Sequence, residues 1–169
     1  LTVCAPMQFV LGLDGVREAL HIFVNRPSRP PRGGNVLYFA KGEHHAGLIW
    51  LESGQTLYLE EGARVYGAVY AKDAENIRIC GRGVIDSSPY RRYNDLLPDG
   101  HELQKQLAEH GLCETDTHYL GNLTLYHCRN VSIEGVAFED APLWSVTVRN
   151  GCENVVIDNV KIIGQWRYN

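Results

Sequence analysis

Three tetrapeptides of this chain superimpose: Asn76-Ile77-Arg78-Ile79, Asn130-Val131-Ser132-Ile133 and Asn154-Val155-Val156-Ile157. The last two start 24 residues apart (154 − 130), and the first starts 54 before the second (130 − 76), one turn of similar size plus an insertion. Repeats of this length, rich in Val and Ile and carrying a fixed Asn, read as coils of a parallel β-helix. One such repeat cannot bury its own apolar face, so each must stack on the next. A solenoid of this kind presents one long face to a polymer.

Counting from the Asn fixes a register. Positions +1, +3 and +8 are expected to point inward, and they hold Ile77, Ile79, Val84; Val131, Ile133, Phe138; and Val155, Ile157, Ile162, all apolar. An earlier coil, with Thr56 in the place of the repeat Asn, is 20 residues long (76 − 56) and fits less well, since Arg64 falls at +8 and the apolar residue is Val65. The Asn itself has two readings. Its amide donates to the next copy and accepts from the previous one, forming a ladder along the axis, or it is a turn residue with local bonds only.

Ahead of the coils, Met7, Phe9, Leu11 and Leu13 alternate, Asp14-Gly15 intervenes, and Val16 to Val24 reads as a second strand: a hairpin, the remnant of a small β-sandwich domain in residues 1–25. Residues 26–34, with three prolines and two glycines between Asn25 and Gly34, form a linker. The β-helix then runs from 35 to 169, beginning with strands at Val36–Phe39 and Leu48–Leu51, while Glu43-His44-His45 reads as a turn. An insertion occupies about 87–117. Within it Asp99-Gly100-His101-Glu102 is a capping-box pattern, Leu103 and Leu107 share a face, and Gly111 stands where a helix stops.

The formal charge of −4 gives no basic field for nucleic acid or an anionic membrane, and no apolar run approaches the roughly 20 residues of a spanning helix. The chain opens on Leu1 and ends at Asn169 with no visible solenoid cap, so it reads as cut at both ends. The missing export signal then carries no weight, and a polymer substrate points to an extracellular or periplasmic setting. Cys4, Cys80, Cys113, Cys128 and Cys152 have no zinc spacing. Cys128 and Cys152 each precede a repeat Asn by two residues and should stack about 4.8 Å apart, as free thiols rather than a relaxed disulfide.

Few residues announce chemistry. Asp86 and Asp140 both fall ten after a repeat Asn; a carboxylate pair suits glycoside cleavage, though adjacent coils lie too close for an inverting pair. Turn-forming Asp is the plainer reading. His44-His45 lacks a third ligand for a metal, and His101, His110, His118 and His127 are isolated, with structural or solvent-facing roles expected. Trp144, Trp166 and Tyr168 offer faces on which sugar rings stack, while Trp144 serves equally as core or loop packing.

From about Asn35 to Asn169 the chain resembles the pectin-lyase-like right-handed β-helix enzymes, and most closely the polygalacturonase-like glycoside hydrolases of family 28. The residues that carry the resemblance are the run from Gly47 to Ala63, Gly81-Arg82-Gly83-Val84-Ile85-Asp86, Cys128-Arg129-Asn130-Val131 and Asp140-Ala141-Pro142-Leu143-Trp144. A β-domain ahead of the helix is also similar to the dextranase-type family 49. The fold implied is all-β: a right-handed parallel β-helix preceded by a small β domain.

The resemblance further implies a polysaccharide substrate, hydrolysis with inversion, and no cofactor or metal. The family's Asn-Thr-Asp-type motif would start at Asn169, carried over as substrate-binding together with Tyr168 and Trp166. The catalytic aspartates would then lie beyond the last residue, leaving these 169 residues inactive by themselves. A polysaccharide lyase and a non-catalytic tailspike- or adhesin-like β-helix are the competing readings.

Overall fold

The computed structural model describes residues 2–12, 19–90, 102–112 and 120–164. The chain forms the β-solenoid that the repeats imply. Its first leg is a parallel sheet of β3 (Val36–Phe39), β5 (Thr56–Leu59), β7 (Glu75–Gly81), β10 (Arg129–Glu134) and β13 (Glu153–Asp158). The long strands β4 (Gly42–Trp50) and β6 (Ala63–Lys72) each run through the second and third legs. From there the second leg continues as β8 (Val84–Asp86), β11 (Ala137–Glu139) and β14 (Lys161–Ile163), and the third as β9 (Leu123–Tyr126) and β12 (Val146–Arg149).

Period-2 alternation turns one face of each strand inward. Ile77, Val131 and Val155 stand in one column, and Leu57, Ile79, Ile133 and Ile157 in the next. The second leg adds Val65, Ile85 and Phe138, and the third adds Val69, Ala71, Leu123 and Leu125, all fully buried. Each such side chain stabilises the stack by about 1.5–3 kcal/mol. Ile157 and Ile162 keep the inward rows but are 45% and 53% exposed, because theirs is the last described coil.

The inward position expected at Val84 belongs instead to Ile85. From Ile79 to Ile85 is six residues (85 − 79), whereas from Ile133 to Phe138 is five (138 − 133), so the corner at Gly81-Arg82-Gly83 holds one residue more than its successor. Arg82 Nη1 bonds the Gly81 carbonyl at 2.8 Å and fills the space that a Cβ on Gly135 would take. As a consequence Asp86 aligns with Glu139, not with Asp140.

The coil before it is also corrected. Thr56 pairs with Arg78, which puts Gly54 opposite Asn76 and makes the coil 22 residues long (76 − 54). Gly54 has φ +75°, and Asn76, Asn130 and Asn154 have φ of 59°, 53° and 53°. Left-handed backbone, tolerated by Gly and Asn, is what the four positions share.

The asparagines do form a ladder, but it runs opposite to the expected sense. Asn130 Nδ2 donates to Asn76 Oδ1 at 3.2 Å, and Asn154 Nδ2 donates to Asn130 Oδ1 at 3.1 Å, so each amide donates to the preceding copy. Asn130 is the only one of the three that does both. Asn130→Ala should therefore lose about 1–2 kcal/mol, from two solvated hydrogen bonds plus an unfavourable left-handed Ala, and Asn130→Gly about half as much. Urea midpoints of the two variants check this; equal losses would leave the backbone term without a role.

Glu43-His44-His45 lies within β4 rather than in a turn, with the His45 ring stacked on Tyr66 at 4.8 Å. The register of β4 on β6 shifts between His45 and Gly47, and just beyond it Gln106 Oε1 accepts from the Leu48 N–H at 2.8 Å. Gln106 belongs to helix α1 (Glu102–Glu109), which ends where Gly111 takes φ +71°. The helix packs Leu107, with Leu112 and Leu120, on Ala68 and Tyr70, and so covers part of the outer face of the third leg. Trp50 is stacked between Tyr70 and His110. The capping-box residues 99–101, Cys113 and His118 lie outside the described residues.

Strands β1 (Met7–Gly12) and β2 (Ala19–Val24) pair antiparallel; Asp14-Gly15 falls outside the described residues. The arm that follows β2 is bonded to the solenoid: Asn25 Oδ1 accepts from Lys161 Nζ and Asn159 Nδ2, both at 3.1 Å, and the Arg26 carbonyl accepts from Arg82 Nε at 3.2 Å.

Cys128 and Cys152 stack in adjacent coils as free thiols, Cys152 only half-buried. Burial pushes the Cys128 and Cys80 thiols above their ordinary values. A thiol reagent at neutral pH should label the exposed Cys4 promptly, and Cys80 and Cys128 only once denaturant unfolds the stack.

Candidate functional site

Outward-facing residues of the second leg make a strip of charged and aromatic side chains. One row runs His45, Tyr66, Asp86, Glu139 and Ile163, each a coil further along; the row beside it holds Glu43, Arg64, Val84, Ala137 and Lys161. Two carboxylates on adjacent coils would repel, and Arg64 resolves this. Its Nη1 bonds both Asp86 Oδ2 and Glu139 Oε2, the latter at 2.7 Å. The Glu139 hydrogen bond is the chief cause of a raised Arg64 pKa, with burial acting against it and Asp86 adding to it.

Asp86 is 5% exposed and its other oxygen accepts from the Ser88 N–H at 2.9 Å, so the carboxylate is fixed on both sides. The chain then leaves the solenoid as the insertion, between Asp86 and Leu123. Its two stems are tied by Asn122, whose Nδ2 reaches Ser87 Oγ at 2.8 Å and the Glu139 carbonyl at 2.7 Å, while Ser87 Oγ donates to the Gly67 carbonyl at 2.7 Å. The buried Asn122 thus also pins the backbone that carries Glu139.

On the other side the strip is bordered by the N-terminal arm. Lys161, 6% exposed, reaches Asn25 and Asn159 and lies 5.7 Å from the centre of the Phe23 ring. Burial, and secondarily the charge of Arg82, lower its pKa, against an opposing pull from Asp158. The second leg therefore runs between an arm and an insertion, with carboxylates and an aromatic pair facing outward.

The pairing of Asp86 with Glu139 bears on catalysis. Adjacent strands lie about 4.8 Å apart, whereas inverting carboxyl groups stand roughly 6.5–9.5 Å apart. The strand spacing is thus too narrow for an inverting pair. Arg64 bonds both groups, so each of the two side chains is already engaged by a cation.

Asn169, Tyr168 and Trp166, the expected substrate-binding residues, lie outside the described residues. Trp144 is 55% exposed, which excludes the core role left open for it. His127 bonds Asp73 at 2.7 Å and His110 stacks on Trp50, structural roles for both. Among the described residues no group of three His, Cys, Asp or Glu is placed to hold a metal, and no helix is long and apolar enough to cross a membrane. Arg64 and Glu139 had no sequence signal of their own; the shifted corner hid their alignment with Asp86.

No family model and no curated protein matches the chain. Solved structures do. A candidate glycosyl hydrolase from Parabacteroides merdae is 24% identical with a TM-score of 0.60, covering 80% of this chain and 63% of its own. The hyperthermoactive exopolygalacturonase of Thermotoga maritima is 26% identical with a TM-score of 0.55, covering 78% and 40%. The family 28 exopolygalacturonase of Yersinia enterocolitica is 18% identical with a TM-score of 0.53, covering 74% and 32%. The chain thus spans from about a third to just under two thirds of these proteins' length. Its fold is that of the β-helix polygalacturonases, and its structural neighbours are glycosyl hydrolases.

Proposed function

We propose that the chain is part of a glycoside hydrolase that cleaves a pectin-like polysaccharide with inversion. In this reading residues 1–25 belong to a small β domain, Trp166, Tyr168 and Asn169 contact the substrate, and the catalytic aspartates follow residue 169. The observation that supports it is the parallel β-solenoid, whose structural neighbours are glycosyl hydrolases that include two exopolygalacturonases. One carboxylic acid would protonate the leaving oxygen while a second activates water on the opposite face, with no cofactor.

A reducing-end assay tests this. The 169-residue chain should release no sugar from any polysaccharide, and a version extended along its reading frame should release it with inverted anomeric configuration by NMR. Turnover by the 169 residues would refute the placement of the aspartates. Unsaturated products would replace hydrolysis by elimination, and binding without cleavage by the extended form would make the protein a display or adhesion module.

A further inference from the structure

We propose that Cys152 and Cys128 form a thiol relay through which an external disulfide staples two successive coils of the solenoid together. This stands independently of the glycoside-hydrolase reading. The two residues hold one position in successive coils, 24 residues apart (152 − 128). Strand pairing keeps them in register: the Glu153 N–H donates to the Cys128 carbonyl at 2.9 Å, and Arg129 pairs with Glu153. Cys128 lies within the core and Cys152 packs against it. The Cys128 N–H donates to Cys152 Sγ at 3.3 Å, so this sulfur already leans on its partner. Cys128 Sγ leans the other way, 3.4 Å from the Ala71 carbonyl of the coil before, and a rotation about χ1 turns it towards Cys152.

Burial sets the order of events. Cys128 is shut off from solvent and its thiol is held above its ordinary pKa, so no external reagent reaches it in the folded chain. Cys152 is half-buried and open to a small disulfide such as oxidised glutathione. Its thiolate attacks one sulfur of that disulfide, forming a mixed disulfide and releasing one glutathione thiolate. Cys128 Sγ then attacks Cys152 Sγ, the bond to glutathione breaks, and the departing thiolate takes up the Cys128 proton. Two protein thiols have become one disulfide, and one glutathione disulfide has become two thiols. Adjacent strands about 4.8 Å apart satisfy the Cα spacing of a disulfide, roughly 4.4–6.8 Å, while its Cβ atoms must approach to about 3.5–4.5 Å. The bridge therefore draws the two coils slightly together and is of the kind that thiols reopen. An oxidising compartment closes it and a reducing one keeps the dithiol.

The test incubates the folded 169-residue chain, carrying Cys4→Ser and Cys113→Ser to remove competing thiols, with oxidised glutathione at mildly alkaline pH. Free thiols are then alkylated and the peptides mapped by mass spectrometry without reduction. A Cys128–Cys152 cross-linked peptide is expected, dithiothreitol should reverse it, and the stapled chain should unfold in urea about tenfold more slowly or better. In Cys152→Ser, Cys128 should stay reduced for as long as circular dichroism shows a folded chain. In Cys128→Ser, Cys152 should be trapped as the mixed disulfide with glutathione. Both thiols remaining free, a lasting mixed disulfide at Cys152 beside a reduced Cys128, an unfolding rate unaltered by the bridge, or modification of Cys128 in folded Cys152→Ser would overturn the proposal. The first three outcomes are read with Cys128 and Cys152 both in place, so they decide the matter even where a serine variant fails to fold.

Discussion

Arg64→Ala is expected to lower the unfolding free energy by about 2–4 kcal/mol. Breaking a buried ion pair from one side costs about 3–5 kcal/mol because a charge is left unpaired in a poor solvent; here the Arg64 side chain is 35% exposed, which trims the figure. What remains is large because Asp86 is 5% exposed and faces Glu139 across adjacent strands, so removing the cation leaves one charge stranded and a like pair unscreened. A second substitution separates this from lost packing. Arg64→Ala with Asp86→Asn should recover at least half of the loss, since the amide needs no counter-charge and still accepts from the Ser88 N–H. Urea unfolding followed by far-UV circular dichroism measures both variants. No recovery in the double variant would mean that Arg64 acts through its aliphatic stem and not through its charge.

The solenoid was legible in the sequence wherever one physical constraint recurs without interruption. Ile77, Val131 and Val155, and likewise Ile79, Ile133 and Ile157, follow a repeat Asn at fixed offsets because strand pairing carries the register from coil to coil. Legibility ended at the corners. Leu57 reaches Val65 in eight residues (65 − 57), Ile79 reaches Ile85 in six and Ile133 reaches Phe138 in five, all within one column pair of the core. Counting from the Asn across such a corner misplaces everything after it, so that Asp140 falls at the offset of Asp86 while Glu139 is its strand partner. The Thr56 frame failed for a different reason: the backbone demands a left-handed residue, and Gly54 satisfies the demand as well as Asn does. The direction of the amide ladder has no sequence signature at all, since one Asn side chain donates or accepts with a half-turn.

That distinction between a required conformation and a required absence of side chain yields the largest expected effect. Gly81→Ala should cost about 4 kcal/mol or more, at the level reserved for backbone conflict. Gly81 has φ +125°, outside the left-handed well that Asn occupies, and a Cβ there would lie 1.9 Å from the Leu59 carbonyl oxygen. That carbonyl cannot swing aside, because it accepts from the Arg82 N–H at 2.9 Å and the Gly83 N–H at 3.2 Å, the two bonds that close the widened corner. Gly54 poses the opposite case. Its φ of +75° suits Asn, a Cβ would meet nothing nearer than Asn35 Nδ2 at 3.8 Å, and it stands one coil before Asn76. Gly54→Asn should therefore be neutral or stabilise by up to about 1 kcal/mol, by reducing the freedom of the unfolded chain and adding a rung to the ladder. Denaturant midpoints of the two variants decide the matter. Comparable losses at both sites would show that the chain reads these glycines only as turns, and a well-folded Gly81→Ala with an unaltered midpoint would mean that the corner is not closed through the Leu59 carbonyl.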